Sequence, residues 1–315
     1  MHALLIGNFG VGNLGDEALR EYFLSAFPDV DWTVVSAHPR TEHEVARLPG
    51  GVASLLAFRW VRTLRAYRHT DVIVFGGGSL FTDIESTYAC FLWWLHTAAA
   101  RFYRKPVLFA FQGIGPLRSR AGEWFARRAL RKAAFLSVRD DVSADRIADW
   151  GLNIPVVRSF DPVFLLLQKE KRDDHRKNVL IVIPRKNSGA TFRERAKELV
   201  ASGLFETLRI LSMEPENEAE ASVCRSLAAA LGAEVTAITT LTALAEAVSG
   251  SSLVLSQRYH GALAALASGI PVEVVPQGVG DKMAELQELK PEDAPRLLDL
   301  VQTGEEALRE MLQRL

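Results

Sequence analysis

The sequence predicts an α/β protein built from two Rossmann-like domains, each around a parallel sheet, the two facing each other across a cleft. Three observations carry this expectation. Short apolar runs alternate with longer amphipathic or small-residue stretches along nearly the whole chain, as strands and helices do around parallel sheets. Several of the apolar runs end in glycine-rich or polar turns, where a strand hands over to a helix. A charged, poorly patterned run at residues 167–178 interrupts the alternation, which then restarts. The expected division is therefore an N-terminal domain over 1–166, a linker over 167–178 and a C-terminal domain over 179–315. The 315 residues, 48% of them hydrophobic, suffice for two separate cores.

Composition narrows the function classes. A formal net charge of -1 gives no global field for nucleic acid. Two cysteines, Cys90 and Cys224, lie far apart with no zinc spacing around them, which fits a reducing compartment. The first residues, Met-His-Ala-Leu-Leu-Ile-Gly, lack the charged region and length of a signal peptide. The most apolar stretch, 89–100, contains His96 and runs into Arg101, Arg104 and Lys105. It falls short of the roughly 20 residues that span a bilayer and reads as a buried helix. A cytoplasmic protein is expected, with the inner membrane face as a place where it works.

The chain opens with a buried strand at 3–6. A glycine loop follows (Gly7-Asn-Phe-Gly-Val-Gly-Asn-Leu-Gly-Asp-Glu17), then a helix to about Phe27. Gly10, Gly12 and Gly15 match the dinucleotide fingerprint literally. Asp16 and Glu17 at the helix start would repel a pyrophosphate, however, and the second strand, 31–35, ends without an acidic residue for a ribose. Either the acidic turn caps the helix, or Asn13 and Asp16 serve as hydrogen-bonding groups for a hydroxyl-rich ligand.

Residues 54–69 read as one helix with Arg59, Arg62, Arg65 and Arg68 on one face and Trp60, Leu64 and Tyr67 on the inward face. The arginines form either a solvated face or a docking surface for anionic lipid headgroups, which the basic cluster at 118–132 would extend. Next comes a strand at 71–75 that breaks into Gly76, Gly77 and Gly78, with Ser79, Thr82, Asp83 and Glu85 behind it. Open glycine backbone at a strand end is where ligands lie. Asp83 either binds a sugar hydroxyl or caps the next helix. A strand at 106–111 leads into Gln112-Gly-Ile-Gly-Pro116, and a basic helix into a strand at 135–138. Arg139 and Asp140 at the latter's end read as a structural ion pair. A helix at 142–150 ends at Gly151.

After the linker, the pattern gives a strand at 179–183, a helix at 191–202, a strand at 207–211, helices at 215–232 and 241–249, a strand at 252–255, a helix at 260–268, a strand at 271–275 and helices from about 281 onward. Arg185 stands just past the first of these strands. At 258–261 an Arg-Tyr-His-Gly element joins a strand to a helix of small residues that Gly269 and Pro271 stop. Helix-start N–H groups attract anions. Arg258 adds a fork-shaped cation, His260 a group that titrates near neutral pH, and Gly261 room for close approach to the backbone. Two arginines aimed at one cleft suit a small ligand with two anionic groups.

Six motifs in order then resemble the polysaccharide pyruvyl transferase family: Gly-Asn-Leu-Gly-Asp-Glu (12–17), Gly-Gly-Gly-Ser-Leu-Phe-Thr-Asp (76–83), Gln-Gly-Ile-Gly-Pro (112–116), Ser-Val-Arg-Asp (137–140), Asp-Pro-Val-Phe (161–164) and Arg-Tyr-His-Gly (258–261). The resemblance implies a GT-B-like fold and transfer of pyruvate from phosphoenolpyruvate onto two hydroxyls of a sugar as a cyclic ketal. It associates Arg185, Arg258 and His260 with the donor. Tyr259 stands where the family commonly has Leu.

On this reading Arg185, Arg258 and His260 are the catalytic residues. The donor is held by Arg185, Arg258, Tyr259, His260 and Gly261, and the acceptor by Asn13, Asp16, Gly77, Gly78, Asp83 and Gln112. Phosphoenolpyruvate is the donor substrate and a glycan or lipid-linked glycan the acceptor. No metal or further cofactor is expected, and an oligomer is compatible with the sequence. Two competing readings are a nucleotide-sugar glycosyltransferase or epimerase on the same fold, with Glu273 as its nearest ribose ligand, and a non-catalytic sugar-binding protein.

Overall fold

The computed structural model describes residues 1–84, 86–170, 178–276 and 283–315. The chain forms two compact units. One contains Met1–Gly12, Asp16–Pro162 and Asp299–Leu315; the other contains Asn13–Gly15 and Val163–Leu298.

The first unit is built on β1 (His2–Ile6), α1 (Leu14–Ala26), β2 (Asp31–Ser36), β3 (Glu44–Ala46), α2 (Val52–Leu56), α3 (Val61–His69), β4 (Val72–Phe81), α4 (Thr87–Phe102), β5 (Val107–Ile114), α5 (Arg120–Leu130), β6 (Phe135–Val138), α6 (Asp141–Asp149) and β7 (Val157–Arg158). Its sheet runs β3-β2-β1-β4-β5-β6-β7 with every pairing parallel. The strand order reverses between β1 and β4, the place where such sheets leave a crevice. β5 is buried at every position and β4 at all but one, which is why they read as continuous apolar runs rather than alternating ones. Side chains cap α4, α5 and α6: Ser86, Ser119 and Asp140 accept from the N–H groups of Tyr88, Gly122 and Ser143.

Two expectations change here. β4 does not stop at the glycines but runs through them to Phe81. Gly77 (φ 74°) and Gly78 (φ 78°) take left-handed conformations, and the β4–β5 register shifts after Gly78, so the glycines form a bulge that lets pairing resume. The helix expected over 54–69 is two helices. The break falls at Phe58, whose φ is 51°. Trp60, Leu64 and Tyr67 do face the core, but α2 has no buried residue to hold it in line with α3.

The second unit contains α7 (Val163–Lys169), β8 (Val179–Ile183), α8 (Ala190–Ala201), β9 (Thr207–Ser212), α9 (Glu218–Leu231), β10 (Glu234–Ala237), α10 (Leu241–Ser249), β11 (Leu253–Ser256), α11 (Tyr259–Ala267), β12 (Val272–Val274), α12 (Met283–Leu286) and the start of α13 (Ala294–Gln313). Its parallel sheet runs β10-β9-β8-β11-β12. The reversal lies between β8 and β11. Leu180, Val182, Phe192, Ile210 and Leu255 form part of one core around the sheet.

The domain boundaries also differ from those expected. Residues 163–169 of the expected N-terminal domain and linker form α7, whose Gln168 Nε2 donates to Ala267 O at 2.7 Å within the second unit. Residues 171–177 of the expected linker lie outside the described residues. From Asp299 onward α13 groups with the first unit, where its polar side chains are bound. Tyr22 Oη donates to Glu305 Oε2 at 2.7 Å, Arg309 Nη2 donates to Ala26 O at 2.8 Å, and the Arg309 guanidinium lies 4.8 Å from the Phe27 ring centroid. No helix among the described residues is long and apolar enough to cross a membrane.

Candidate functional site

The candidate site sits at the carboxyl ends of β8, β9 and β11. β11 hands over to α11 at Arg258, which is the N-cap with extended backbone (φ -105°, ψ 125°). Ser256 Oγ fixes this corner by accepting from the Arg258 N–H at 3.0 Å and donating to the Arg258 carbonyl at 2.8 Å. Across the β8–β11 crevice, Ser188 Oγ accepts from the Arg185 N–H at 2.9 Å and bonds Gln257 Oε1 at 2.5 Å. Gln257 in turn donates its backbone N–H to Ile183 O at 2.9 Å and Nε2 to Val275 O at 3.2 Å. The loops carrying Arg185 and Arg258 are thereby stitched together through buried polar groups.

Arg258 is buried and held by two carboxylates. Nη1 donates to Glu214 Oε1 at 2.7 Å, and Nη2 pairs with Glu220. Glu220 is fully buried in the first turn of α9. It accepts from the N–H groups of Met213 at 2.8 Å and Glu214 at 2.7 Å and from Ser212 Oγ at 3.3 Å. It is thus a fixed anchor. Glu214 is more exposed and also accepts from Asn217 Nδ2 at 3.2 Å. Burial pushes the Glu214 carboxyl up. The Arg258 hydrogen bond and charge, the Asn217 bond and the Arg185 charge together outweigh burial and hold it below the usual carboxylate range. Both arginines therefore act on Glu214. The corner expected to be simply positive carries its own acidic partners, which nothing in the spacing of Glu214 and Glu220 signalled. The only hint was a run of four acids, Glu214, Glu216, Glu218 and Glu220, following β9.

Gly261 departs from its expected role. A Cβ there would lie 2.7 Å from Ile183 Cδ1 and 2.9 Å from Ser256 Oγ. The missing side chain lets α11 press on β8, not a ligand on the backbone. Tyr259 is buried and meets the His260 ring edge-to-face, centroids 5.4 Å apart, so it positions the imidazole. His260 is half-buried. Gly15, which groups with this unit, also lies against His260. A Cβ on Gly15 would fall 1.9 Å from His260 Nδ1. Asn13, in the same short segment, contacts Glu214 Oε1 through Nδ2 at 3.4 Å and caps the Gly15 N–H at 3.1 Å.

In the first unit the expected acceptor residues do different things. Asp16 accepts from Asn8 Nδ2 at 2.8 Å, and Arg47 Nη2 donates to Asn8 Oδ1 at 3.0 Å. This half-buried polar cluster lies at the β1–β4 reversal; Asn8 belongs to the glycine loop but is not singled out within it, and Arg47 belongs to no run. Glu17 Oε1 accepts from the Gly10 N–H at 2.7 Å, so a loop amide of the dinucleotide-like pattern is taken by the chain's own acid.

Gln112, Gly77, Gly78 and Asp83 each have a structural role. Gln112 is fully buried and donates to Phe75 O and Ala110 O at 3.0 Å each, satisfying backbone where the β5–β6 register shifts. Gly77 and Gly78 are buried; a Cβ on Gly77 would meet Leu19 Cδ2 at 2.8 Å, so these glycines let α1 pack on β4. Asp83 is buried and accepts from the N–H groups of Arg118 at 2.6 Å and Ser119 at 2.8 Å and from Ser119 Oγ at 2.5 Å. It does not cap the next helix, α4, whose cap is Ser86; it holds instead the backbone of Arg118 and Ser119 just before α5. Arg139 is buried and pairs chiefly with Asp161, three residues past β7, while Asp140, the partner expected, lies 3.9 Å away. Among the described residues no group of His, Cys, Asp and Glu could hold a metal ion.

Two doubly wound parallel sheets, each with its polar loops at a strand-order reversal, define a GT-B-like α/β protein. Solved structures agree. Anabaena Alr3699/HepE in complex with UDP is 13% identical, with a TM-score of 0.63 and all of both chains covered. The UDP-N-acetylglucosamine 2-epimerase of Rickettsia bellii is 12% identical (TM-score 0.62, covering 99% of this chain and 96% of that one). The UDP-GlcNAc 2-epimerase of Neisseria meningitidis bound to UDP-GlcNAc is 11% identical (TM-score 0.59, all of both chains). No curated protein matches the chain in sequence. The family model for polysaccharide pyruvyl transferase matches residues 13–276, and the chain belongs to that family.

Proposed function

We propose that this protein transfers pyruvate from phosphoenolpyruvate onto two hydroxyls of a glycan or lipid-linked glycan, forming a cyclic ketal and releasing phosphate. The observation that carries the reading is the joining of Arg185 and Arg258 at the ends of the two neighbouring strands β8 and β11, with His260 in the first turn of the helix between them and the next strand.

Phosphoenolpyruvate presents a carboxylate and a phosphate, and guanidinium forks bind both bidentately. Arg258 is held in place by Glu220, so its orientation is set before the donor arrives. Glu214 is the partner the donor displaces from Nη1, because it is the more exposed of the two acids. His260 gives a proton to C3 of the enol, which leaves C2 electrophilic. An acceptor hydroxyl adds to C2, the C2–O bond to phosphate breaks, and a second hydroxyl closes the ring. One hydroxyl proton restores His260 and the other leaves with phosphate. Positioned proton transfer of this kind contributes about 10²- to 10⁴-fold. Asn13 and Asp16 are the acceptor-side candidates that keep half-exposed polar groups.

A nucleotide-sugar reaction is the second reading, favoured by the UDP and UDP-GlcNAc bound to two of the fold neighbours. Glu273, its candidate ribose ligand, is held by Arg195 Nε at 2.5 Å and Nη2 at 3.0 Å, which counts against it. Phosphate release from phosphoenolpyruvate in the presence of mixed acceptor glycans, run beside UDP-sugars, separates the two. Acceptor-dependent phosphate release supports pyruvyl transfer; turnover of a UDP-sugar without it overturns the proposal.

A further inference from the structure

We propose that the segment from α2 through α3 docks the protein on an anionic lipid bilayer surface. α2 buries none of its residues, and Val52, Leu55, Leu56 and Phe58 are respectively 74%, 47%, 65% and 64% exposed. Four large apolar side chains within seven residues is more than scattered surface hydrophobicity. The tip is structured: Trp60 Nε1 donates to Leu55 O at 2.9 Å, and Phe58 holds the left-handed backbone that turns the chain between the helices. Tyr88, itself half-exposed, lies against Gly50 at the base of the tip and adds an amphipathic ring of the kind that favours the headgroup zone.

Charge selects the occupant. Between Gly51 and Thr70 the sequence has four arginines and no acidic residue, in a chain whose net charge is -1. Arg59, Arg62, Arg65 and Arg68 are all exposed. Apolar residues that enter the acyl boundary beside arginines that stay with the headgroups match the chemistry of an anionic membrane surface. A second copy of the chain fits poorly, since a two-fold interface would set the arginine row against itself.

Flotation with lipid vesicles tests this. The assay contains neither phosphoenolpyruvate nor glycan, so its outcome is separate from that of the proposed reaction. The protein is expected to float with vesicles of phosphatidylcholine mixed with phosphatidylglycerol, and not with phosphatidylcholine alone, with binding lost at high salt. Replacing Leu55, Leu56 and Phe58 together by Ser, or the four arginines by Gln, is expected to lower the bound fraction about tenfold or more. None of the seven side chains is buried, and an unchanged melting temperature checks that the variants fold. Absence of flotation with anionic vesicles, equal binding to neutral ones, or variants that bind as the parent does would overturn the proposal. So would self-association in place of vesicle binding, abolished by the triple serine variant.

Discussion

Glu214 Oε1 lies 2.7 Å from Arg258 Nη1, while the other arm of the same guanidinium is pinned by the fully buried Glu220. The arginine is thus oriented by one acid and masked by another. A donor dianion must compete with Glu214, and Glu214 must stay charged to compete. Glu214→Gln keeps the shape and removes the charge. It is expected to lower the KM for phosphoenolpyruvate about fivefold, the scale of one partly exposed charge interaction near 1 kcal/mol. Steady-state kinetics at varied donor concentration checks this; a raised KM would mean that Glu214 supports the donor instead of opposing it.

Glu220 is expected to matter through stability. Glu220→Ala removes the anchor of a buried guanidinium and leaves the N–H groups of Met213 and Glu214 without their acceptor. Breaking a buried pair from one side costs about 3–5 kcal/mol. Denaturant titration should show that loss, whereas a change below about 1 kcal/mol would place Arg258 in a solvated setting.

Gly261→Ala tests the contact of α11 with β8. The added methyl meets Ile183 Cδ1 at 2.7 Å. Overpacking should cost about 1–3 kcal/mol, and Ile183→Val in the same chain should recover part of it. Additive losses in the double variant would show that the two side chains do not compete for one space.

Sequence and structure agree best where one residue type has one use. Buried parallel strands such as β8 are apolar at every position, so their extent was legible. β10 was not, because all four of its residues are exposed and carry no apolar run. The Arg185 and Arg258 corners were legible because a cation at a strand end stands out in sequence. Their acids were not, because Glu220 reaches Arg258 across 38 positions and no spacing rule connects an α9 side chain to the start of α11. The glycines misled for a related reason. Gly77 and Gly261 are empty so that Leu19 and Ile183 can fill the space, and sequence alone does not separate room for a ligand from room for a neighbour.

Asp83 sets an expected pH response. Burial alone would raise its carboxyl; the bonds from Ser119 Oγ and from the Arg118 and Ser119 N–H groups outweigh it and hold the carboxyl below the usual range. A carboxyl lowered by folding adds stability that is present above its unfolded value, near 3.9, and lost as pH falls through the folded value. Acidification from about pH 5 to below pH 4 should therefore lower the stability of the parent more than that of Asp83→Asn. Equal acid sensitivity in thermal melts would contradict this assignment.

The most direct test of the whole account is calorimetric titration of phosphoenolpyruvate and of UDP into the same protein. Saturable binding of phosphoenolpyruvate is expected, weakened about tenfold or more by Arg185→Ala and by Arg258→Lys, which loses the fork, and changed only severalfold by His260→Ala. Saturable binding of UDP with none of phosphoenolpyruvate would contradict it.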